Sequence, residues 1–451
     1  MTAPVSPFVR RVAGLAARIF YRIDCVGAPP AEGPVLLLPN HPNALLDPAV
    51  IWFTARRDVR FLAKSTLFAW PLGGLLRGAG AIPVYRRSDA GSDPSRNVEM
   101  FQAVGEALRG GDAVCIFPEG VSHSRGRLEP LRTGAARIAL SAARGATPVA
   151  LVAVGLNFDR KARFRSRVTA AYGPSFSCTN TADAGQAEPE AAAVRRVTDQ
   201  IALHIRDLMI EADASGDAAL VDRVDRLYSS ARSLPGDPAE RLERRQLIAN
   251  GIGRLRAADP AKYADVLLRV RRYDDRLRRF GLRDSQLDGS PSFRDAVEFA
   301  SRELLFAVVL IPLSVVGLAT FALPYWTTAL LTRFFIHEQD VRATGKVVVG
   351  ALIYGLWMCL LSIVTFLRAG PGWGMAVLAA LPVLAVASLF AIERETAVAE
   401  TVRAWFLLRR TRPATVERLH KRRSELADLL DEVRGWLSQR DEAGSTSGKT
   451  R

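Results

Sequence analysis

Two side chains six positions apart, His41 and Asp47, follow a short apolar run in the stretch Pro39-Asn40-His41-Pro42-Asn43-Ala44-Leu45-Leu46-Asp47-Pro48. A carboxylate bonded to one imidazole nitrogen fixes the tautomer and leaves the other nitrogen as a base. A spacing of six does not put both residues on one face of a regular helix. They can meet if the chain turns after a strand and Asp47 opens a helix, where Pro48 suits the first turn. Taken alone, such a pair is more often a satisfied structural contact.

Three further blocks follow it. Gly80-Ala81-Ile82-Pro83-Val84-Tyr85-Arg86-Arg87 runs a strand into two arginines. Arg86 at a strand end suits a phosphate through its planar fork. Phe117-Pro118-Glu119-Gly120-Val121-Ser122-His123-Ser124-Arg125 sets a carboxylate, a flexible backbone, hydroxyls and a cation in one loop. Thr147-Pro148-Val149 opens an apolar strand. In isolation the second block reads as an exposed basic turn and the fourth as core.

The elements that must carry these blocks are legible as a pattern. Short apolar runs at 35–38, 59–62, 81–85, 113–117, 148–154 and 168–172 read as strands, with helical periodicity at 48–57, 96–109 and 133–143. The alternation predicts an α/β fold, a largely buried sheet flanked by helices, with chemistry on loops at strand ends.

In order, spacing and position, the four blocks resemble the glycerolipid acyltransferase family, the lysophospholipid and glycerol-3-phosphate acyltransferases. The resemblance covers residues 10–175 and takes in Gly33-Pro34 and Leu131-Arg132-Thr133-Gly134-Ala135. It implies His41 as general base and Asp47 as its orienting partner. It implies Arg86 on the acceptor's phosphate, Glu119 and Gly120 shaping the acceptor site, and Pro148 with its strand on the acyl-donor side or in the core.

Two departures stand out. Five residues separate His41 from Asp47, where the common family spacing is four, and Val121-Ser122 stands where many members carry Thr-Arg. Both variants resemble the branch that includes fungal glycerol-3-phosphate and dihydroxyacetone-phosphate acyltransferases, which also carries membrane segments. With Ser122 in that place, phosphate binding passes to Arg125 or Arg132.

The activity so implied moves a fatty acyl group from acyl-CoA, or acyl carrier protein, to glycerol 3-phosphate or 1-acylglycerol 3-phosphate. No metal or cofactor is expected. A hydrolase using Ser122 or Ser124 lacks a G-x-S-x-G elbow, and Cys115 within the run AVCIF reads as core. An inactive lipid-binding scaffold is the other alternative; intact His41, Asp47, Arg86 and Glu119 argue against it.

Bulk properties agree with a membrane setting. The chain has 451 residues, 49% hydrophobic and 24% charged, with a net charge of +15. Such an excess fits nucleic acid or an anionic membrane with anionic substrates. No nucleic-acid-binding motif accompanies it, and long apolar segments favour the membrane. Cys25, Cys115, Cys178 and Cys359 are scattered without disulfide or metal-ligand spacing.

Along the chain, residues 1–30 are expected to be an amphipathic helix, on a membrane face or packed on the domain, and 31–176 the α/β domain. A surface connection and an Arg-rich helical region take 177–303, its charge runs being mainly solvated helix faces. Apolar segments at 304–331, 346–367 and 373–392 each approach the roughly 20 residues that cross a bilayer, in a membrane region spanning 304–392. An amphipathic helical tail at 393–438 and a disordered end at 439–451 complete the expectation. The catalytic domain is expected on the cytoplasmic side. Because the tail is also basic, a first segment that does not cross is favoured.

Overall fold

The computed structural model describes residues 5–69, 73–85, 94–123, 125–144, 148–178, 189–211, 217–287, 293–335, 339–410 and 413–447. The chain forms two compact units, one of 1–211 with 336–347 and the other of 212–335 with 348–451.

The first unit is built on a sheet of seven described strands. These are β1 (Tyr21–Val26), β2 (Val35–Pro39), β3 (Val59–Lys64), β4 (Ile82–Val84), β5 (Ala113–Cys115), β6 (Ala150–Phe158) and β7 (Ser166–Tyr172). Their order is β1-β7-β6-β2-β5-β3-β4. All pairings are parallel except β6 with β7. β2 is central, with Leu37 opposite Cys115 of β5 on one side and Val152 of β6 on the other.

That position explains the Val-Leu-Leu-Leu run. A parallel strand covered on both faces has no polar side, so its residues are apolar without alternation. Leu36 and Leu38 point into one core layer and Val35 and Leu37 into the other, all four fully buried. Burying each such leucine contributes roughly 1.5–3 kcal/mol. The first layer is closed by α4 (Asn97–Arg109), α5 (Gly134–Ala143) and α6 (Glu190–Arg206). The second is closed by α1 (Pro7–Phe20) and α2 (Leu46–Thr54). A short α3 (Gly73–Gly78) precedes β4.

Two features of the first unit differ from the sequence expectation. β1 lies within residues 1–30, expected as helix; its alternation of Tyr21, Ile23 and Cys25 with Arg22 and Asp24 is a strand pattern, but a short one directly after a helical period. It is an edge strand, where polar residues are tolerated. The second difference concerns α6, expected in the 177–303 region, which belongs to the first unit. Val197, Ile201 and Ile205 are buried in its core. Beyond the helix, Asn157 donates to the Leu208 carbonyl and accepts from Ile210 N–H, both at 2.8 Å. Gly155 permits that approach, since a Cβ there would lie 2.2 Å from the Leu208 oxygen.

The second unit contains α7 (Asp217–Ala231), α8 (Pro238–Ala258), α9 (Pro260–Phe280), α10 (Asp284–Leu287) and α14 (Pro413–Ser447). Leu220, Leu227, Val270, Leu277, Leu426 and Leu437 form part of their shared core. Asp237 and Asp259 cap α8 and α9 by accepting first-turn N–H groups. Arginines read as solvated faces are also cross-linked to carboxylates, as in Arg244–Asp225 at 2.6 Å and Arg232–Asp431 at 2.6 Å. α14 continues to Ser447, past the expected start of disorder at 439, because Gln439 to Ala443 contains good helix formers.

Among the described residues, three helices are long and apolar enough to cross a membrane: α11 (Phe293–Phe335), α12 (Gln339–Ala369) and α13 (Pro371–Arg410), through 311–334, 345–369 and 371–391. Their outward side chains are large and apolar, with Trp326, Leu356, Leu367 and Met375 among the most exposed. α11 and α13 touch at small residues, since a Cβ at Gly317 would lie 2.2 Å from that of Ser388.

Candidate active site

The site is assembled at the edge of the sheet where β2 and β5 end. Because these strands are parallel neighbours, the loops that follow them emerge side by side. Asn40 fixes the exit of β2. Its side chain donates to the Leu156 carbonyl at 3.2 Å and accepts the Leu156 N–H at 2.7 Å. These two bonds extend the β2–β6 pairing past its last strand residue.

His41 comes next, and the chain turns before α2. Leu46 N–H bonds to the Asn43 carbonyl at 3.1 Å, and Ala44 adopts a left-handed conformation at φ 46°. This turn delivers Asp47 to the first turn of α2, where a carboxylate is favoured by the helix dipole. His41 Nδ1 lies 2.9 Å from Asp47 Oδ2. The same oxygen accepts the Asn43 N–H at 2.7 Å. Asp47 is wholly buried, and burial raises its carboxyl above the usual range, while the bond from His41 pulls it back down.

The His41 ring stacks on Phe117, with centroids 4.0 Å apart and planes at 22°. Its side chain is 17% exposed. Nδ1 faces a carboxylate and so carries the proton. Nε2 makes no hydrogen bond among the described residues. The arrangement can hold the imidazole in one tautomer, as a general base requires, on a side chain that is partly exposed.

Glu119 sits on the loop after β5 and is 2% exposed. Its Oε1 accepts the His41 N–H at 2.7 Å, and its Oε2 accepts the Glu129 N–H at 3.0 Å and pairs with His123 Nε2. The carboxylate therefore faces the protein, bracing the loops. Gly120 follows at φ 76°, a backbone that glycine adopts without strain.

Residues 41, 47, 117 and 119 all fall in a stretch of the chain that has known relatives in sequence. A family model described as Acyltransferase covers residues 22–154, the stretch holding all four. Over residues 22–154 the chain is similar to the glycerolipid acyltransferase family.

A 1-acyl-sn-glycerol-3-phosphate acyltransferase of Brassica napus chloroplasts is 28% identical over 30% of this chain and 39% of its own. Glycerol-3-phosphate O-acyltransferase 1 of Saccharomyces cerevisiae is 25% identical over 58% of this chain and 37% of its own. A lyso-ornithine lipid O-acyltransferase of Brucella abortus is 30% identical over 32% of this chain and 53% of its own. The chain thus spans between about a third and a half of these relatives' lengths. The crystal structure of the 1-acyl-sn-glycerophosphate acyltransferase PlsC from Thermotoga maritima matches 45% of this chain and 78% of that one, at 15% identity and a TM-score of 0.32.

Within the acyltransferase domain, the basic residues are distributed unevenly. Arg86 lies outside the described residues; Tyr85, which precedes it, is clamped to Asn97 by two hydrogen bonds. Arg125 is exposed and bound to both oxygens of Glu129 at 2.8 and 2.9 Å, which holds that carboxyl below its usual range. Arg132 is exposed, and its Cγ would lie 3.2 Å from a Cβ at Gly120, so it stands beside the loop. Its main-chain N–H bonds to Pro118 O at 2.7 Å. Ser122 is half-buried on the same loop, and Ser124 lies outside the described residues. Cys115 is fully buried, and burial raises its thiol well above the usual range.

Other residues join the hydrogen-bond network around His41 and Asp47 without a local sequence signal. Asn43 Nδ2 donates to the Tyr21 hydroxyl at 2.7 Å, and that hydroxyl donates to the Lys161 carbonyl. Tyr21 opens β1, the strand absent from the expectation. Because β1 runs opposite to β2, its first residue reaches the edge where β2 ends.

Proposed function

We propose that this chain transfers a fatty acyl group from a thioester of coenzyme A or acyl carrier protein to a hydroxyl of glycerol 3-phosphate or 1-acylglycerol 3-phosphate. The observation that carries this reading is the 2.9 Å contact between His41 Nδ1 and Asp47 Oδ2, with Nε2 left free at the mouth. In this mechanism Nε2 takes the acceptor's hydroxyl proton as the oxygen attacks the thioester carbonyl. Asp47 stabilises the imidazolium. The tetrahedral oxyanion then collapses, the C–S bond breaks, and the departing thiolate takes the proton back from His41. Donors to the oxyanion are main-chain N–H groups of the loops at the mouth. Arg86 and Arg132 are the proposed grips for phosphate, with Gly120 and Ser122 lining the acceptor's approach. Arg125 can contribute only by leaving Glu129.

A membrane setting supports this chemistry, because the product is a lipid. Three apolar helices and the outward face of α1, where Phe8 is 75%, Val12 49% and Leu15 55% exposed beside Arg11 and Arg18, suit a bilayer and its interface. The basic flanks favour the cytoplasmic leaflet for the catalytic domain.

The test is an assay of full-length protein in detergent with labelled palmitoyl-CoA and a panel of acceptors. Acylated product is expected from wild type and none from His41→Ala of unchanged secondary structure. Substantial turnover by that variant removes His41 as base. Release of free fatty acid without acceptor identifies a hydrolase, and binding of lipid without turnover identifies a scaffold.

A further inference from the structure

A base is useful only when its free nitrogen points at the proton to be moved. Asp47 and Phe117 set the plane of the His41 ring, but the position of the ring also depends on the peptide groups on either side of its Cα. Both are held by the loop after β5. The His41 N–H bonds to Glu119 Oε1 at 2.7 Å, and the His41 carbonyl accepts the His123 N–H at 3.2 Å. The His123 ring closes the circuit through Nε2 to Glu119 Oε2. Resting on the proposed chemistry above, we infer that His123 is a positioning residue for His41, acting through Glu119 and through its own main chain.

The surroundings fit one role for that ring. The His123 side chain is 14% exposed and that of Glu119 is fully buried. A carboxylate removed from water needs donors on both oxygens. Oε1 has the His41 N–H, whereas Oε2 has the Glu129 N–H and His123 Nε2. His123 Nδ1 is buried and has no partner among the described residues, so the ring's only bond there is the one to Glu119. Lys161 Nζ donates to the His123 carbonyl at 3.1 Å, fixing this residue from the β6–β7 loop as well. Without the ring, Glu119 keeps one donor on Oε2, next to Glu129, and can swing away from the His41 N–H. The lesion is therefore in the aim of the base. It leaves the groups that grip the acceptor in place.

The experiment uses full-length protein in detergent, palmitoyl-CoA, and glycerol 3-phosphate or lysophosphatidate as acceptor. His123→Gln keeps an N–H donor near the place of Nε2, and His123→Ala removes it. A loss of about 10- to 100-fold in kcat is expected for His123→Ala, of the size a misplacement near 1 Å produces, with acceptor KM within about threefold. His123→Gln should return to within about fivefold of wild type. Adding His123→Ala to Glu119→Ala should cost less than about threefold more, because both break one circuit. Should His123→Ala not fold, His123→Asn, whose amide falls short of Glu119, takes its place with the same expected loss.

Wild-type kcat in the truncated variant overturns the inference, as does a rise in KM without loss of kcat, or a glutamine variant as slow as alanine at equal thermal midpoint. If both variants lose cooperative unfolding, His123 is a residue of the fold and the inference also falls. Wild type and His41→Ala run alongside. Wild type without transfer removes the proposed chemistry and the inference with it. An active wild type, a dead His41→Ala and a full-rate His123→Ala remove the inference alone.

Discussion

The Glu119 carboxylate accepts the main-chain N–H of His41 at 2.7 Å, across 78 positions of sequence. The bond ties the loop after β2 to the loop after β5, two strands that lie side by side. The carboxylate of the Phe-Pro-Glu-Gly block thus braces the main chain of His41. The imidazole is thereby fixed at three places: its ring nitrogen by Asp47, its ring face by Phe117, and its peptide by Glu119.

Asp47 holds the imidazole through a charged oxygen on Nδ1. Asp47→Asn keeps the shape of the buried side chain but cannot serve as a charged acceptor for Nδ1–H. Turnover should fall about 100- to 10,000-fold, the upper figure being the loss when a triad aspartate is made asparagine. Circular dichroism should be unchanged. Residual activity above about a tenth of wild type would remove Asp47 from the mechanism.

The buried carboxyl also gives a signed pH dependence. Burial raises Asp47 above the unfolded value of about 3.9. Folding therefore favours its protonated form. That contribution is present below the unfolded value and is lost as pH rises through the raised folded one. Asp47→Asn lacks it. The thermal midpoint of wild type minus that of Asp47→Asn should accordingly decrease as pH rises through this window. A difference that is flat, or that grows with pH, contradicts the burial account.

Asn40 should matter to stability more than its neighbours suggest. It is 3% exposed and makes two bonds to Leu156. Asn40→Ala leaves a buried N–H and a buried carbonyl unpaired, at about 1–3 kcal/mol each before relaxation. A lower thermal midpoint is expected, together with reduced kcat, because His41 is the next residue. An unchanged midpoint would mean that water replaces both bonds.

Arg86 carries the prediction that bears on substrate. Arg86→Ala should raise the acceptor KM with a smaller change in kcat, the signature of a group that binds ground and transition states alike. Arg132→Ala, measured in parallel, reports on the second proposed grip. If the Arg86 variant keeps its KM and the Arg132 variant does not, phosphate recognition lies on the loop beside Gly120.

How much of this was legible follows from the range of each interaction. The Val-Leu-Leu-Leu run announced a strand buried on both faces, and six of the seven described strands were marked by apolar runs. The blocks around His41 and Glu119 were visible as well, since each is a contiguous string, and so were three stretches of bilayer length. Those signals are local: they depend on neighbours in sequence and on burial. The side-by-side placement of β2 and β5, the inward turn of Glu119, the arrival of Tyr21 from the edge strand β1 and the docking of α6 on the sheet are not local. Each is a contact between segments far apart in sequence, settled by strand order and packing, so no local pattern records it. Residue types determined which chemistry was available, and the order of strands in the sheet decided which of those residues meet.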